Sequence, residues 1–268
     1  MIDFTKMHGI GNDYLLTEAE HPDFGALARR LCDRRRSIGA DGIIAIRREP
    51  HLEMRVFNSD GTAAGMCGNG MRCVAFLAAE RLGFDARMRI RCAERLCDAR
   101  VLERHGPVAM VELDLGAART HVEAIRVDPN LATITGHHVV LADTGIEGWL
   151  TDVGNPHLVL FESGLDWREW GARLSTHGAF PDGINVMFVS RRSDGGFDLV
   201  PWERGAGPTS ACGSGAVASA IALADAGCST PGTQTFHLPG GVLHVDVKER
   251  AILRGEAAFA FDVSIDVA

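Results

Sequence analysis

Two short phrases, Met66-Cys67-Gly68-Asn69-Gly70 and Ala211-Cys212-Gly213-Ser214-Gly215, each set a cysteine and two glycines ahead of a stretch rich in alanine and valine. Such a stretch reads as a buried helix. A thiol at a helix start meets unpaired N–H groups and the positive end of the dipole, which lower its pKa from ~8.5 toward neutrality. A group titrating near the working pH suits general acid–base catalysis. Glycine-rich helix starts also bind anions. Neither loop has a following Lys-Ser/Thr or a G-x-G-x-x-G fingerprint, so a small carboxylate fits better than a nucleotide phosphate. Two thiols beside a carboxylate suit the inversion of an amino-acid α-carbon. One thiolate removes the α-proton from one face while a thiol supplies a proton to the other. The helix-start N–H groups stabilise the charge that builds on the carboxylate.

The cysteine phrases belong to a longer repeat. Gly11-Asn12-Asp13-Tyr14-Leu15-Leu16 resembles Gly154-Asn155-Pro156-His157-Leu158-Val159, and Asp41-Gly42-Ile43-Ile44 resembles Asp182-Gly183-Ile184-Asn185. The matches from 12 to 155, 41 to 182 and 67 to 212 keep one order and nearly one offset. Fixed-offset similarity of this kind marks duplicated structural units. We therefore expect two homologous halves, 1–117 carrying Cys67 and 118–257 carrying Cys212. The crossing lies within 119–137, and a C-terminal strand at about 258–268 is a candidate to return to the first half. The fold class expected is α/β (α+β), with two pseudo-symmetric domains. Each is a mostly antiparallel sheet wrapped around a central helix, and the active site lies in the interdomain cleft.

The elements that must position the thiols are legible from periodicity. Residues 54–57, 88–91, 108–113 and 243–247 alternate as half-buried strands do. Residues 186–190 and 197–200 bracket a Ser-Asp-Gly-Gly turn within 191–196. Helices are expected at 24–32, 70–82 and 215–226, the last two stopped by Gly83 and Gly227 at C-cap positions.

Composition narrows the function class. The chain has 268 residues, of which 46% are hydrophobic and 23% charged, as in soluble globular proteins. The formal net charge of −8 argues against nucleic-acid binding, which needs a basic footprint. Arg34-Arg35-Arg36 reads as a solvated helix end. No apolar run approaches the ~20 residues that span a bilayer, so no membrane association is expected. No signal peptide is visible at the N-terminus. Seven cysteines cannot all pair within the chain, and the expectation is a reduced, cytoplasmic protein. Cys67, Cys73, Cys92 and Cys97 lack zinc-site spacing and no histidine cluster accompanies them, so no metal is expected. The usual electron sink for α-proton chemistry, pyridoxal phosphate, needs a Schiff-base lysine. The chain has only Lys6 and Lys248, and neither lies near a phosphate cradle. No cofactor is expected.

A wider set of motifs resembles the diaminopimelate epimerase family. They are residues 7–13 (Met-His-Gly-Ile-Gly-Asn-Asp), 39–42 (Gly-Ala-Asp-Gly), 58–61 (Asn-Ser-Asp-Gly) and 66–73 (Met-Cys-Gly-Asn-Gly-Met-Arg-Cys). They continue with 154–157 (Gly-Asn-Pro-His), Asn185-Val186, 203–207 (Glu-Arg-Gly-Ala-Gly), 211–215 and 238–241 (Leu-Pro-Gly-Gly). The resemblance implies cofactor-independent interconversion of LL- and meso-diaminopimelate, with Cys67 and Cys212 as the acid/base pair. It implies that the backbone of Gly68, Asn69, Gly213 and Ser214 holds the reacting carboxylate. The distal amino-acid head would then be read by Asn12, Asn58, Asn155, Asn185, Glu203 and Arg204, and the enzyme would be a homodimer. A guanidinium can fork a carboxylate, and a carboxylate can accept from an ammonium. The chain departs from the family pattern at Pro208, where a glutamate usually precedes the threonine, and at Leu158 and Trp202.

Taken one by one, these residues have plainer readings. Asn12 and Asn69 beside glycine suit turns, as do Asp41 and Asp182. Glu203-Arg204 reads as a surface pair, and His157 as a structural hydrogen-bonder. Arg72 fits either substrate positioning or packing. Three other functions remain open at this level. They are a racemase of another amino acid on the same scaffold, a thiol redox protein using Cys67 and Cys212, and a non-enzymatic dicarboxylate-binding module.

Overall fold

The structure is a computed structural model that describes residues 1–48, 51–118, 120–230 and 232–266. Residue 119, in the expected crossing, and residues 267–268, in the expected terminal strand, lie outside the described residues. The chain forms two compact units, one from residues 1–115 with 254 onward and one from 116–253. The sequence divides the halves at 117/118, with the crossing within 119–137 and a return at about 258; the units divide at 115/116 and 253/254.

The first unit runs β1 (Ile2–Gly9), β2 (Asn12–Thr17), α1 (Phe24–Leu31), β3 (Gly42–Arg47), β4 (Glu53–Asn58), β5 (Ala63–Ala64), α2 (Gly68–Arg81), β6 (Arg87–Cys92), β7 (Arg95–His105) and β8 (Val108–Ala117). Most neighbouring strands are antiparallel, but β2 pairs in parallel with β3, and β4 in parallel with β6. Parallel neighbours need a crossover. Here α1 carries one crossover and α2 the other. Helix α2 packs against β1, β2, β4, β6 and β7, and residues 69–78 are all buried. That explains its apolar character on every side.

The second unit continues with β9 (Ala132–Thr135), β10 (His138–Leu141), β11 (Glu147–Asp152), β12 (Pro156–Phe161), α3 (Trp167–Ser175), β13 (Asn185–Arg191), β14 (Phe197–Glu203), β15 (Gly207–Pro208), α4 (Gly213–Asp225), β16 (Thr233–Leu238), β17 (Gly241–Val247) and β18 (Arg250–Ile265). The order β2-α1-β3-β4-β5-α2-β6-β7 recurs as β12-α3-β13-β14-β15-α4-β16-β17. The pairings recur too: β12 is parallel to β13 and β14 is parallel to β16. Tyr14 lies opposite Gly42 in one parallel pair and His157 opposite Asn185 in the other. The repeat is thus one of topology and register, and it makes Asn185 the counterpart of Gly42, two residues on from the Gly183 that the sequence match pairs with Gly42. Strand β18 starts in the second unit and ends in the first, where it pairs antiparallel with β1.

Local chemistry sets the helix limits. Asp23 caps α1 through the Ala26 N–H, and Asp166 caps α3 through the Arg168 N–H. Gly83 and Gly227 stop α2 and α4 with φ of 78° and 68°, a conformation glycine adopts without a Cβ clash. The sequence reading missed α3. Its buried face is held by Trp167, Trp170 and Leu174 against the sheet of its own unit, while Gly171 weakens the local helix signal. A Cβ at Gly171 would lie 2.1 Å from the Trp202 ring, so packing requires glycine there. Among the described residues no helix is long and apolar enough to cross a membrane. No group of three or more His, Cys, Asp or Glu among them is placed to hold a metal ion.

Candidate active site

Both cysteines are helix N-caps. Cys67 has extended backbone, and its Sγ accepts the Gly70 N–H at 3.2 Å. Cys212 repeats this, with its Sγ accepting the Gly215 N–H at 3.3 Å. Sulfur here fills the place an N-cap oxygen usually takes. The following glycines leave no room for a side chain. A Cβ at Gly70 would sit 3.2 Å from Cys67 Sγ and 2.6 Å from Ile44 Cδ1; one at Gly215 would sit 3.1 Å from Cys212 Sγ and 2.3 Å from Met187 Sδ. The glycines therefore let the helix start close on the sulfur.

Around that shared frame the side chains differ. Cys67 is partly exposed, and Tyr14 Oη lies 3.1 Å from its Sγ. Cys212 is buried, with Ser214 Oγ 3.5 Å away. Burial first, and then the charge of Glu203, push the Cys212 thiol well above its ordinary pKa; Ser214 and the Gly215 N–H pull less strongly the other way. The acidified thiol expected at this helix start is therefore reversed at Cys212. Removal from water and a neighbouring carboxylate both disfavour the thiolate more than one N–H and one hydroxyl favour it.

The other sequence-derived residues gather within their own units. In the first, a two-residue hairpin at Ile10-Gly11 joins β1 to β2 and delivers Asn12. Ile10 has φ 46°, rare for a β-branched residue, so the turn is held by its surroundings. Asn58 ends β4 opposite Gly42, and its Nδ2 donates to Thr62 Oγ1 at 3.0 Å. Asn69 is buried and its Oδ1 accepts from Arg72 Nη2 at 2.9 Å. Gly68 and Asn69 open α2, and Gly213 and Ser214 open α4, with their N–H groups at the positive helix ends.

In the second unit, Asn185 is a brace. Its Nδ2 donates to the Pro156 carbonyl at 2.7 Å and its Oδ1 accepts the Arg204 N–H at 2.9 Å. Asn155 Oδ1 lies 3.1 Å from Nε2 of His157. Burial, helped by the charge of Arg204, lowers the His157 pKa to about 3, so its ring is neutral. His157 therefore orients Asn155, in keeping with its plain reading. Arg204 is exposed, and its Nη1 donates to the Asp182 carbonyl at 2.8 Å. Glu203 accepts from Thr209 and acts directly on Cys212. That places Glu203 beside a thiol, whereas the resemblance implied the distal head of the substrate.

A sequence profile of diaminopimelate epimerase matches residues 4–120 and 149–259, one segment containing Cys67 and the other Cys212. A diaminopimelate epimerase from Desulforudis audaxviator is 37% identical over 97% of this chain and 98% of its own length. One from Methanothermobacter thermautotrophicus is 34% identical over 98% of each. The chain belongs to the diaminopimelate epimerase family. Solved structures of low identity share the fold. A hydroxyproline epimerase from Agrobacterium vitis superposes with a TM-score of 0.66 at 14% identity, over 98% of this chain and 90% of its own. A phenazine biosynthesis protein of the PhzF family from Enterococcus faecalis superposes with a TM-score of 0.67 at 11% identity, over 99% of both chains.

Within this diaminopimelate epimerase family member, the site includes two further residues, Tyr14 beside Cys67 and Thr209 beside Glu203. Thr209 had no local signal. Tyr14 had one, because it occupies the position in the first copy of the repeat that His157 occupies in the second. Asp41, which the sequence reads as a turn residue, also accepts the Asp13 N–H at 3.0 Å and pairs with Arg34, which pairs with Asp13 as well.

Proposed function

We propose that this protein is an isomerase that converts LL-diaminopimelate to meso-diaminopimelate by two-base proton transfer between Cys67 and Cys212. The observation that carries the reading is the duplicated N-cap: two thiols in one backbone geometry, each within a segment matched by the family profile. A thiolate takes the α-proton as the Cα–H electron pair moves onto the carboxylate. The N–H groups of Gly68, Asn69, Gly213 and Ser214 stabilise that charge. The opposite thiol then delivers its proton to the other face of the carbon. One S–H forms and one breaks, so the step balances in protons alone and needs no electron acceptor. Cys212 enters as the thiol, because burial and Glu203 hold its proton on.

Asn12, Asn58, Asn155, Asn185 and Arg204 serve the distal head, Asn185 by holding the Arg204 backbone in place. We place the enzyme in the cytoplasm as a homodimer, a reading supported by the odd number of cysteines and by the family resemblance. The test is incubation with LL-diaminopimelate in deuterated water, followed by NMR and chiral separation. Deuterium at one α-carbon together with a meso product is expected. Exchange with monocarboxylic amino acids but not with diaminopimelate would instead make it a racemase of another substrate.

A further inference from the structure

We propose that Arg72 and Tyr14 are positioning residues that hold Cys67 as the thiolate of the resting enzyme. The proposal rests on the two-base reading above and assigns residues that the reading leaves without a role. Arg72 lies on α2, one turn beyond the Cys67 cap, and is fully buried. Its Nε donates to the Glu256 carbonyl at 3.2 Å and its Nη2 to Asn69 Oδ1 at 2.9 Å, both neutral acceptors, while Nη1 is buried without a partner. Among the described residues no carboxylate pairs with it. A buried cation with only neutral acceptors is costly unless an anion lies nearby. The backbone is packed tightly around it: a Cβ at Gly9 would lie 2.8 Å from the Asn69 carbonyl oxygen and 3.1 Å from Arg72 Nη2.

The groups facing this place leave one candidate for the missing anion. Tyr14 on β2 is buried, and burial followed by the neighbouring Cys67 pushes its pKa well up, so it remains a neutral donor. Cys73 on α2 and Cys92 on β6 are pushed up by burial to about 12 and about 11, so both stay thiols. Asp13 and Asp41, beyond Tyr14, already share Lys6 and Arg34. Cys67 remains, with Tyr14 Oη in place to donate to its Sγ at 3.1 Å. In the second unit the matching positions hold Val217 and His157, and the carboxylate of Glu203 stands beside Cys212 instead. A counter-charge and a donor at one thiol, and a carboxylate at the other, set opposite resting protonation on one duplicated frame.

The test labels the substrate-free full chain with iodoacetamide across pH and reads each cysteine peptide by mass spectrometry, with partly exposed Cys228 as the internal control. In the wild type, Cys67 should react with a midpoint roughly one pH unit or more below that of Cys228. Tyr14→Phe should raise the Cys67 midpoint by roughly one unit and leave Cys228 unmoved. Arg72→Lys, which keeps the charge, should leave more of the low midpoint than Arg72→Met. A Cys67 midpoint equal to that of Cys228, or unchanged in Tyr14→Phe, overturns the proposal. Should the Arg72 variants not fold, the near-isosteric Tyr14→Phe decides alone. Deuterium exchange by the wild type is run alongside. Exchange without a midpoint shift refutes only this proposal; a shift without exchange refutes only the epimerase reading.

Discussion

Cys67 and Cys212 share a backbone and differ in nearly everything that touches the sulfur. Each caps a central helix, each accepts the N–H three residues on, and each is closed over by a glycine. Yet one thiol meets a tyrosine hydroxyl near a buried guanidinium, and the other is buried against a glutamate. Duplication reproduced the geometry of a thiol that caps a helix. The neighbours that differ give the two sulfurs different electrostatic surroundings. The proposed two-base chemistry would use this combination, since its two groups must be equivalent in reach but opposite in protonation at the start of a turnover.

The largest effect tests the equivalence. Cys67→Ser and Cys212→Ser keep an N-cap acceptor but replace the thiol by a far weaker acid. Each should lower epimerisation on the order of 10³-fold with little change in thermal midpoint. One variant with near-normal turnover would reduce the pair to a single-base enzyme.

Next come the glycines that close on sulfur. Gly70→Ala and Gly215→Ala should each cost about 1–3 kcal/mol in urea unfolding, because the added carbon meets Ile44 in one copy and Met187 in the other. Similar losses would show that the shared backbone sets the cost. A loss in one copy alone would place it in the local side chains.

A smaller effect depends on pH and separates Tyr14 from His157. His157 has a folded pKa of about 3, below the ordinary 6.5. Below pH 6.5 the unfolded chain binds a proton that the folded chain refuses, so stability falls as pH drops from 6.5 toward 3. At pH 5 the loss is about 2 kcal/mol. His157→Gln should flatten this part of the urea-midpoint profile between pH 7.5 and 5. Tyr14→Phe should not alter it, because Tyr14 does not titrate there. A slope that persists in His157→Gln would assign the acid sensitivity to other groups.

Much of the fold was legible because the signals were local. The helices at 24–32, 70–82 and 215–226 appear as Phe24–Leu31, Gly68–Arg81 and Gly213–Asp225, and the six segments read as strands all lie within strands. Alternation, all-round apolarity and C-cap glycines are written in adjacent residues. Helix α3 escaped because tryptophans on its buried face and Gly171 under Trp202 make sense only once β14 is packed against it. The site divides the same way. The cysteine loops and asparagines carried motif and spacing, whereas the Thr209 contact with Glu203 spans a turn with no signature.

By itself the sequence determined that two thiols lie at two duplicated helix starts, because a repeated motif carries its backbone geometry with it. It also determined the chemistry those starts favour, since N–H groups and a dipole at a helix end are properties of the local chain. Only the tertiary structure decided how acidic each thiol is. Desolvation of Cys212, the carboxylate of Glu203, the hydroxyl of Tyr14 and the buried charge of Arg72 depend on what the folded sheet brings near the sulfur. A pKa is set by that surrounding field and by the exclusion of water, and neither is fixed by local sequence spacing.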